Sequence, residues 1–346
     1  MVPVQVGVIG CGYWGPNIIR NFYEAPEADL KMVCDLRQER LDHIQSRYPD
    51  LATSRNYHDM LKSEIEAVVI ATPVSTHHCL AMDCLRAGKH VLVEKPLAGN
   101  SADGLEMVIT ARELKKVLMA GHTFVYNPAV IALKEIIASG EIGRVYYINS
   151  TRVNLGLYQP DVNVIWDLAP HDISILNYIL GLNPFSTSAR GGMYVKKGTF
   201  DVAYLTLHYP ENVMADLRVS WLDPCKIRRI TIVGSKKMIV YDDIEPVDKV
   251  KIYNKGVDVQ PYSDTFEEFH MAYRYGEEVI YPLNWQEPLR AECLHFLECI
   301  QEGRPSRSGG IEGLKVIQVL EAAQRSLLNG GSQEEVLWES IQTIGA

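Results

Sequence analysis

The chain reads as an α/β protein in two parts. An N-terminal parallel sheet covered on both faces is followed by an α+β region with an open, largely antiparallel sheet. Three observations predict this. Apolar strands alternate with helical segments through the first third. Later runs rich in Val, Ile, Tyr and Thr recur at about ten-residue spacing, which suits an antiparallel sheet. The 346 residues also exceed a usual single core. The parts are taken as 1–123 and 124–346.

The first strand is "VQVGVIG" (4–10). "IIRNFYEA" after Pro16 has helical spacing, with Pro16 in the first turn, where its missing N–H does no harm. "LKMVCD" (30–35) and "EAVVIATP" (66–73) are the second and third strands. A helix over 76–87 closes at Gly88, and "HVLVEK" (90–95) is the fourth strand. Ser101 is expected to cap a helix reaching about Lys116, before a fifth strand, "VLMAGHT" (117–123). These strands are nearly continuous apolar runs, as in sheets buried on both faces.

Between the first strand and its helix lies "GCGYWG", or Gly10-x-Gly12-x-x-Gly15. The pattern alone is weak. Here it follows a strand, opens a helix, and has Asp35 ending the second strand 20 residues after Gly15. In that context it is a dinucleotide fingerprint. Gly10 permits the turn, Gly12 lets backbone approach a pyrophosphate, and Gly15 lets helix pack on strand. The helix N-terminus offers N–H groups to phosphates, with Cys11, Tyr13 and Trp14 completing the turn. Asp35 would accept from the adenosine ribose and repel a 2′-phosphate, so NAD is expected over NADP. Arg37, two residues on, works against that preference.

Ligands of such sheets sit outside the carboxyl ends of the strands. Ala71, Thr72, Pro73 and His77 are therefore expected along the cofactor channel, and Glu94 and Lys95 beside the nicotinamide. A lysine ending an apolar strand at that edge is well placed to act on a substrate hydroxyl. His122, Tyr126 and Asn127 leave the fifth strand at the same edge and are candidate substrate contacts.

After a helix over 128–139, the second part runs through "RVYYINSTRVNL", "STSARGGMYV", "DVAYLTLHYP", "VMADLRVSWL", "IRRITIVGS", "KMIVYDD" and "VDKVKIY". Two helices close it, about 288–301 and 311–328. Tyr- and Trp-bearing strands on an open sheet suggest a subunit interface, giving a homodimer or homotetramer. "VIWDLAPHDISILNYILG" (164–181) is an amphipathic helix with Asp167 and His171 four apart on one face. A carboxylate one turn before a histidine can orient an imidazole for acid/base work, or be a structural pair. Asp172 faces another way and meets the chain nearby. The polar loop 154–163 offers Tyr158, Gln159 and Asn163 to substrate hydroxyls.

Composition is ordinary for a globular chain, with 47% hydrophobic and 22% charged residues. The net charge of −9 and the absence of a Lys/Arg-rich run exclude nucleic acid as the main partner. No apolar run reaches the roughly 18 residues of a membrane span. Seven cysteines without C-x-x-C spacing read as reduced, buried thiols rather than disulfides or a zinc site. His77 and His78 are adjacent and cannot readily share one ion, so no metal is expected. The start "MVPVQVGVIG" shows no basic n-region or cleavage site. The expectation is a soluble cytoplasmic protein.

"VGVIGCGYWG", "ATPVSTHHCLAMDCLRAGKHVLVEKPLAG", "GHTFVYNPAV" and "WDLAPHDISILNYILG" together resemble the glucose-fructose oxidoreductase / inositol dehydrogenase / MocA family. "RRITIVGSKKMIVYDD" and "EPLRAECLHFLECI" extend the likeness over nearly the whole chain. The resemblance implies an N-terminal Rossmann domain and a C-terminal domain whose open sheet mediates oligomers. It implies Lys95 as the motif lysine assisting proton transfer and positioning, His171 as general acid/base, and Asp167 as the more variable acidic partner. The reaction implied passes hydride between nicotinamide and a ring carbon of a sugar-like alcohol. A nucleotide-linked sugar oxidised at C3 is the favoured substrate, with inositols, cyclitols or free sugars as the alternative. A non-catalytic dinucleotide-binding redox sensor would carry the fingerprint without the lysine and histidine. A metal-dependent lyase or hydrolase retaining NAD is a further alternative. The isomer of the Lys95–Pro96 bond stays open.

Overall fold

The computed structural model describes residues 2–156, 158–159, 162–259 and 271–338. Among these, two compact units form: 2–127 with 286–321 and 337–338, and 128–285 with 322–336. Residues 286–321, assigned to the second part from sequence, pack within the first unit.

The first unit is built on a six-stranded parallel sheet in the order β3-β2-β1-β4-β5-β6. Its strands are β1 (Val4–Ile9), β2 (Ala28–Cys34), β3 (Ala52–Ser54), β4 (Ala67–Ile70), β5 (His90–Glu94) and β6 (Leu118–Gly121). The helices are α1 (Gly15–Glu24), α2 (Gln38–Arg47), the short α3 (His58–Leu61), α4 (His77–Arg86) and α5 (Ser101–Glu113). Every residue of β4 and β6 is buried. That is the signature of a sheet covered on both faces, and it explains why these strands carry no polar alternation. Ile18, Ile19 and Phe22 of α1 and Leu41 and Ile44 of α2 complete the core. The sequence reading missed β3, three residues long and only partly buried. It also misplaced one cap. Asn100, not Ser101, accepts the Asp103 N–H at 2.8 Å, and Ser101 is already helical.

The second unit carries α6 (Pro128–Ala138), β7 (Val145–Val153), α7 (Val164–Leu180), β8 (Ser186–Gly192), β9 (Val202–Tyr209) and β10 (Val213–Ser220). It continues through β11 (Ile227–Gly234), β12 (Met238–Asp242), β13 (Val250–Val259) and β14 (Met271–Ile280). Two further helices follow, α8 (Pro288–Glu302) in the first unit and α9 (Gly310–Leu328), before the short β15 (Glu334–Glu335). Nine strands pair in the order β14-β13-β12-β11-β7-β10-β9-β8-β15. All neighbours run antiparallel except β7 and β10, which are parallel. α7 packs against β7, β9 and β10, while α6 packs on α7.

Strands β9, β10 and β12 alternate buried with less buried residues, so one face forms the core and the other stays open. Across that open face, register aligns Tyr253, Met238, Val233, Tyr147, Met214 and His208 in one row. Five cysteines are buried, but Cys79 and Cys225 are exposed, against the expectation that the thiols would be buried. Cys79 lies on the outer side of α4, and Cys225 in the turn between β10 and β11. No helix among the described residues is long and apolar enough to cross a membrane.

Candidate active site

In the first unit the residues singled out from sequence collect at the carboxyl ends of β1, β2, β4, β5 and β6. The glycine turn is tight for steric reasons. Gly10 has φ +102°, and a Cβ there would lie 2.4 Å from the Ala71 carbonyl oxygen. At Gly15 a Cβ would come within 2.1 Å of the Gly10 oxygen. Only glycine lets α1 begin that close to β1. Tyr13 and Trp14 project outward, with Tyr13 87% exposed.

Asp35 is buried one residue beyond β2 and closes the turn from the other side. One carboxylate oxygen accepts the Cys11 N–H at 2.8 Å, and the other accepts the Arg37 N–H at 2.9 Å. The Arg40 guanidinium donates at 3.2 Å to the oxygen that Cys11 also uses. Arg37 therefore contributes its backbone here, and Arg40, which the sequence reading passed over, brings the side-chain charge. Burial first, then the Asp35 charge, pushes the Cys11 thiol up to about 12, so it stays protonated.

Beyond β4, the Thr72 and Thr76 hydroxyls are 2.7 Å apart, and Thr76 donates to the Pro73 carbonyl at 2.8 Å. His77 is buried at the start of α4. Its Nδ1 lies 2.9 Å from the Pro96 carbonyl oxygen and its Nε2 2.9 Å from that of Thr72. The ring thus bridges the segment after β4 and the segment after β5. Lys95 is half-buried, and its bond to Pro96 is cis. The Lys95 backbone N–H donates to Glu94 at 3.2 Å.

His122 and Tyr126 follow β6, both buried. Burial, with Lys95 adding to it, lowers His122 to about 4, so its ring is neutral near pH 7. The Tyr126 hydroxyl lies 3.1 Å from Ser308 Oγ, and its ring stacks under the Arg307 guanidinium at 5.0 Å. Asn127 is likewise buried.

In the second unit the focus is α7. Asn163 caps it, accepting the Ile165 N–H at 3.0 Å and the Trp166 N–H at 3.4 Å while donating to Gln324 at 2.7 Å. That amide, a candidate substrate contact, is engaged in holding the helix start. One turn on, Asp167 accepts the indole N–H of Trp221 at 3.0 Å. The Tyr158 ring lies 5.0 Å from that indole, so the loop residue and Asp167 meet on one tryptophan. Gln159 is partly buried. His171 lies one turn after Asp167, and its carbonyl accepts from Ser174 at 2.8 Å.

Asp172 faces another way, as expected, and the chain it meets is β7. It accepts from Arg152 Nε at 2.7 Å, Arg152 Nη2 at 3.2 Å and Ser150 at 2.9 Å. Neither Trp221 nor Arg152 was singled out from sequence. Both lie in strand or strand-end runs, where an aromatic or basic residue gives no local signal.

Residues 4–122 match the family model described as an oxidoreductase family with an NAD-binding Rossmann fold, and residues 130–240 match the GFO/IDH/MocA C-terminal domain. The chain belongs to the Gfo/Idh/MocA oxidoreductase family. It is similar to myo-inositol 2-dehydrogenase of Thermotoga maritima, 24% identical over 340 residues covering 94% of this chain and 96% of that one. It is also similar to UDP-N-acetylglucosamine 3-dehydrogenase of Acidithiobacillus ferrooxidans, 27% identical over 326 residues covering 92% and 95%. The solved structure of a UDP-N-acetylglucosamine 3-dehydrogenase from that organism shares the fold. Its TM-score is 0.80 at 24% identity, covering 94% of this chain and 98% of that one.

As a Gfo/Idh/MocA member the protein is an NAD-binding dehydrogenase acting on CH–OH groups. The turn fits the dinucleotide. Gly10 and Gly15 leave no room for side chains, and Asp35 presents a fixed carboxylate at the end of β2. NAD⁺ held there would supply the hydride acceptor.

Proposed function

We propose that this dehydrogenase oxidises a ring carbon of a nucleotide-linked sugar, at C3, with NAD⁺ as acceptor. The observation that carries the acid/base assignment is the Asp167–Trp221 hydrogen bond on α7, which fixes a carboxylate one turn before His171. Asp167 orients the imidazole, and His171 removes the proton of the alcohol undergoing oxidation. Lys95, at the end of β5, donates to the reacting oxygen and places it for transfer. In the reverse direction the same groups protonate the developing alkoxide. Asp35 receives the adenosine ribose, with Gly10, Cys11, Gly12, Tyr13, Trp14 and Gly15 along the pyrophosphate and Ala71, Thr72 and Pro73 further along the cofactor. Tyr158 and Gln159 are substrate contacts.

The 3-dehydrogenase relative, similar over 92% of this chain, supports the nucleotide-sugar reading. The inositol dehydrogenase relative supports a second one, a cyclitol. The sequence holds no clear diphosphate-binding cluster, and the basic Arg228 and Arg229 are engaged with Asp243 at 3.3 Å and Asp242 at 2.8 Å. We read the open sheet face, with its Tyr147–Met214 row, as the surface that joins copies into a homodimer or homotetramer.

The test is a near-stoichiometric reaction of enzyme and NAD⁺ with UDP- and dTDP-sugars, uronates, inositols and free hexoses, read at the reduced-nicotinamide band. Signal with a nucleotide sugar alone supports the proposal. Signal confined to inositols or hexoses replaces it with the cyclitol reading. Silence with NAD bound rejects both.

A further inference from the structure

Four polar atoms of the first unit are buried with no hydrogen-bond partner among the described residues: Glu94 Oε1, Glu292 Oε1, and both ring nitrogens of His122. Their side chains belong to residues only 5%, 1% and 1% exposed. They are neighbours by construction. In the β5–β6 ladder Glu94 pairs directly with Gly121, the residue before His122. A Cβ at Gly121 would lie 3.3 Å from the Glu94 carboxyl, so the glycine makes room for it. Thr123, the residue after His122, donates its hydroxyl to Glu292 on α8 at 2.7 Å. Three segments of the first unit thus deliver two carboxyls and an imidazole to one buried place, beside the backbone N–H of Lys95.

Two carboxylates buried close together repel one another, so such a pair tends to hold on to a proton. We infer that Glu94 and Glu292 form a buried carboxyl pair sharing its protons, and that Glu94 is the positioning residue that sets the charge beside Lys95. The role given to Lys95 rests on the proposed function, whereas the pair rests on the burial of both carboxyls, the β5–β6 register and the Thr123 hydrogen bond.

The surrounding ionisable groups agree. Burial raises Glu94 to about 7, with Lys95 pulling the other way. Burial, then the Glu94 charge, holds Glu292 well above the carboxylate range, and only the Thr123 hydrogen bond opposes this. Cys293, next to Glu292 on α8, is held up by burial and by Glu292, Glu94 and Glu287, against Arg20. His122 is kept neutral by burial and by Lys95. His122 is therefore neutral near pH 7, while Glu94 exchanges its proton in that range. Taking one proton there converts the Glu94 carboxylate to the acid, forming one O–H bond and removing one negative charge from the side of Lys95.

The pair is tested first without turnover. The glutamate δ-carboxyls of the ¹³C-labelled protein are titrated by NMR in wild type, Glu94→Gln and Glu292→Gln. The expected result is one carboxyl titrating near neutrality and a second staying protonated, and removal of Glu94 should bring Glu292 down by at least a unit. Titrations that ignore the partner's removal overturn the pair. Thr123→Val, which removes the hydrogen bond into Glu292 and no carboxyl, should raise Glu292 further. This variant guards against glutamine variants that fail to fold, and an unmoved Glu292 in it overturns the assignment. The positioning role is tested by the pH profile of kcat. Glu94→Gln should displace the limb near neutrality by about a unit, a change in pH dependence that a merely structural loss would not give. A pair that couples by NMR beside an unmoved kcat profile overturns the positioning role, and the pair itself does not depend on which sugar is the substrate.

Discussion

Trp221 donates its indole N–H to Asp167 at 3.0 Å, so a residue just past β10 fixes the carboxylate that precedes His171 on α7. A charge-assisted hydrogen bond of this kind contributes on the order of 1.5–3 kcal/mol. Trp221→Phe, which keeps the ring and removes the donor, should lower kcat by about ten-fold or more while leaving NAD⁺ affinity unchanged. Steady-state kinetics beside cofactor titration checks this. A parallel loss of cofactor affinity would mean that the indole acts through the fold and not through Asp167.

Asp35, proposed above to receive the adenosine ribose, also serves the turn, because Cys11 and Arg37 donate backbone N–H groups to it. Asp35→Ala should weaken NAD⁺ binding by about ten-fold or more through two lost charge-assisted bonds. It should also narrow the discrimination against NADP⁺, since the repelling charge is gone while Arg40 remains. Calorimetric titration with both dinucleotides gives the two constants.

The Arg152–Asp172 pair is buried and bidentate, with Ser150 on the same carboxylate. Arg152→Met strands the carboxylate and should cost about 3–5 kcal/mol in urea unfolding. The double variant Arg152→Met/Asp172→Leu should recover most of that loss, since replacing both partners leaves no buried charge. A double variant as unstable as the single one would show that the pair is more than a charge match.

Acid stability follows from two neutral histidines, His122 buried and His90 half-buried. Burial lowers both His90 and His122 to about 4, Lys116 adding to it for the first and Lys95 for the second. The unfolded chain takes up these protons near 6.5, so it binds more protons than the fold between pH 6.5 and 4. Stability from each group is present above that window and falls as the pH drops through it. His122→Asn should lose less stability than wild type between pH 6.5 and 4, by on the order of 2 kcal/mol. Glu94 has the opposite sign, since its raised value favours the fold at low pH and stability falls as the pH rises from 4.5 to about 7. Glu94→Gln should flatten that slope. Urea melts across pH 4 to 8 read both effects.

The alternation of apolar strands and helices was legible from sequence because a doubly covered sheet leaves no polar face to blur it. The fingerprint was legible because its spacing is local. β3 was not, being three residues at the sheet margin with little burial to mark it. The Asn100 cap was missed because Asn100 and Ser101 are both good caps and only backbone geometry separates them. Trp221, Arg152, Arg40 and Glu292 matter through partners 54, 20, 5 and 169 residues away, on Asp167, Asp172, Asp35 and Thr123. Except for Arg40, no local pattern carries such pairings. Asp172 was the easier case, because the i, i+4 pairing of Asp167 and His171 put those two on one face of the helix and left Asp172 another.

α7 holds Asp167, His171 and Asp172 within six consecutive positions, and its two acids are tied to different strands, Asp167 through Trp221 after β10 and Asp172 through Arg152 on β7. Inserting or deleting one residue between the acids would turn everything beyond it by about 100° about the helix axis. One acid or the other would then face the wrong way, and no side-chain exchange elsewhere would restore both. This stretch can drift in letters but not in length. In any lineage descended from this chain, gaps should accumulate in the turns and stop at the edges of that helix.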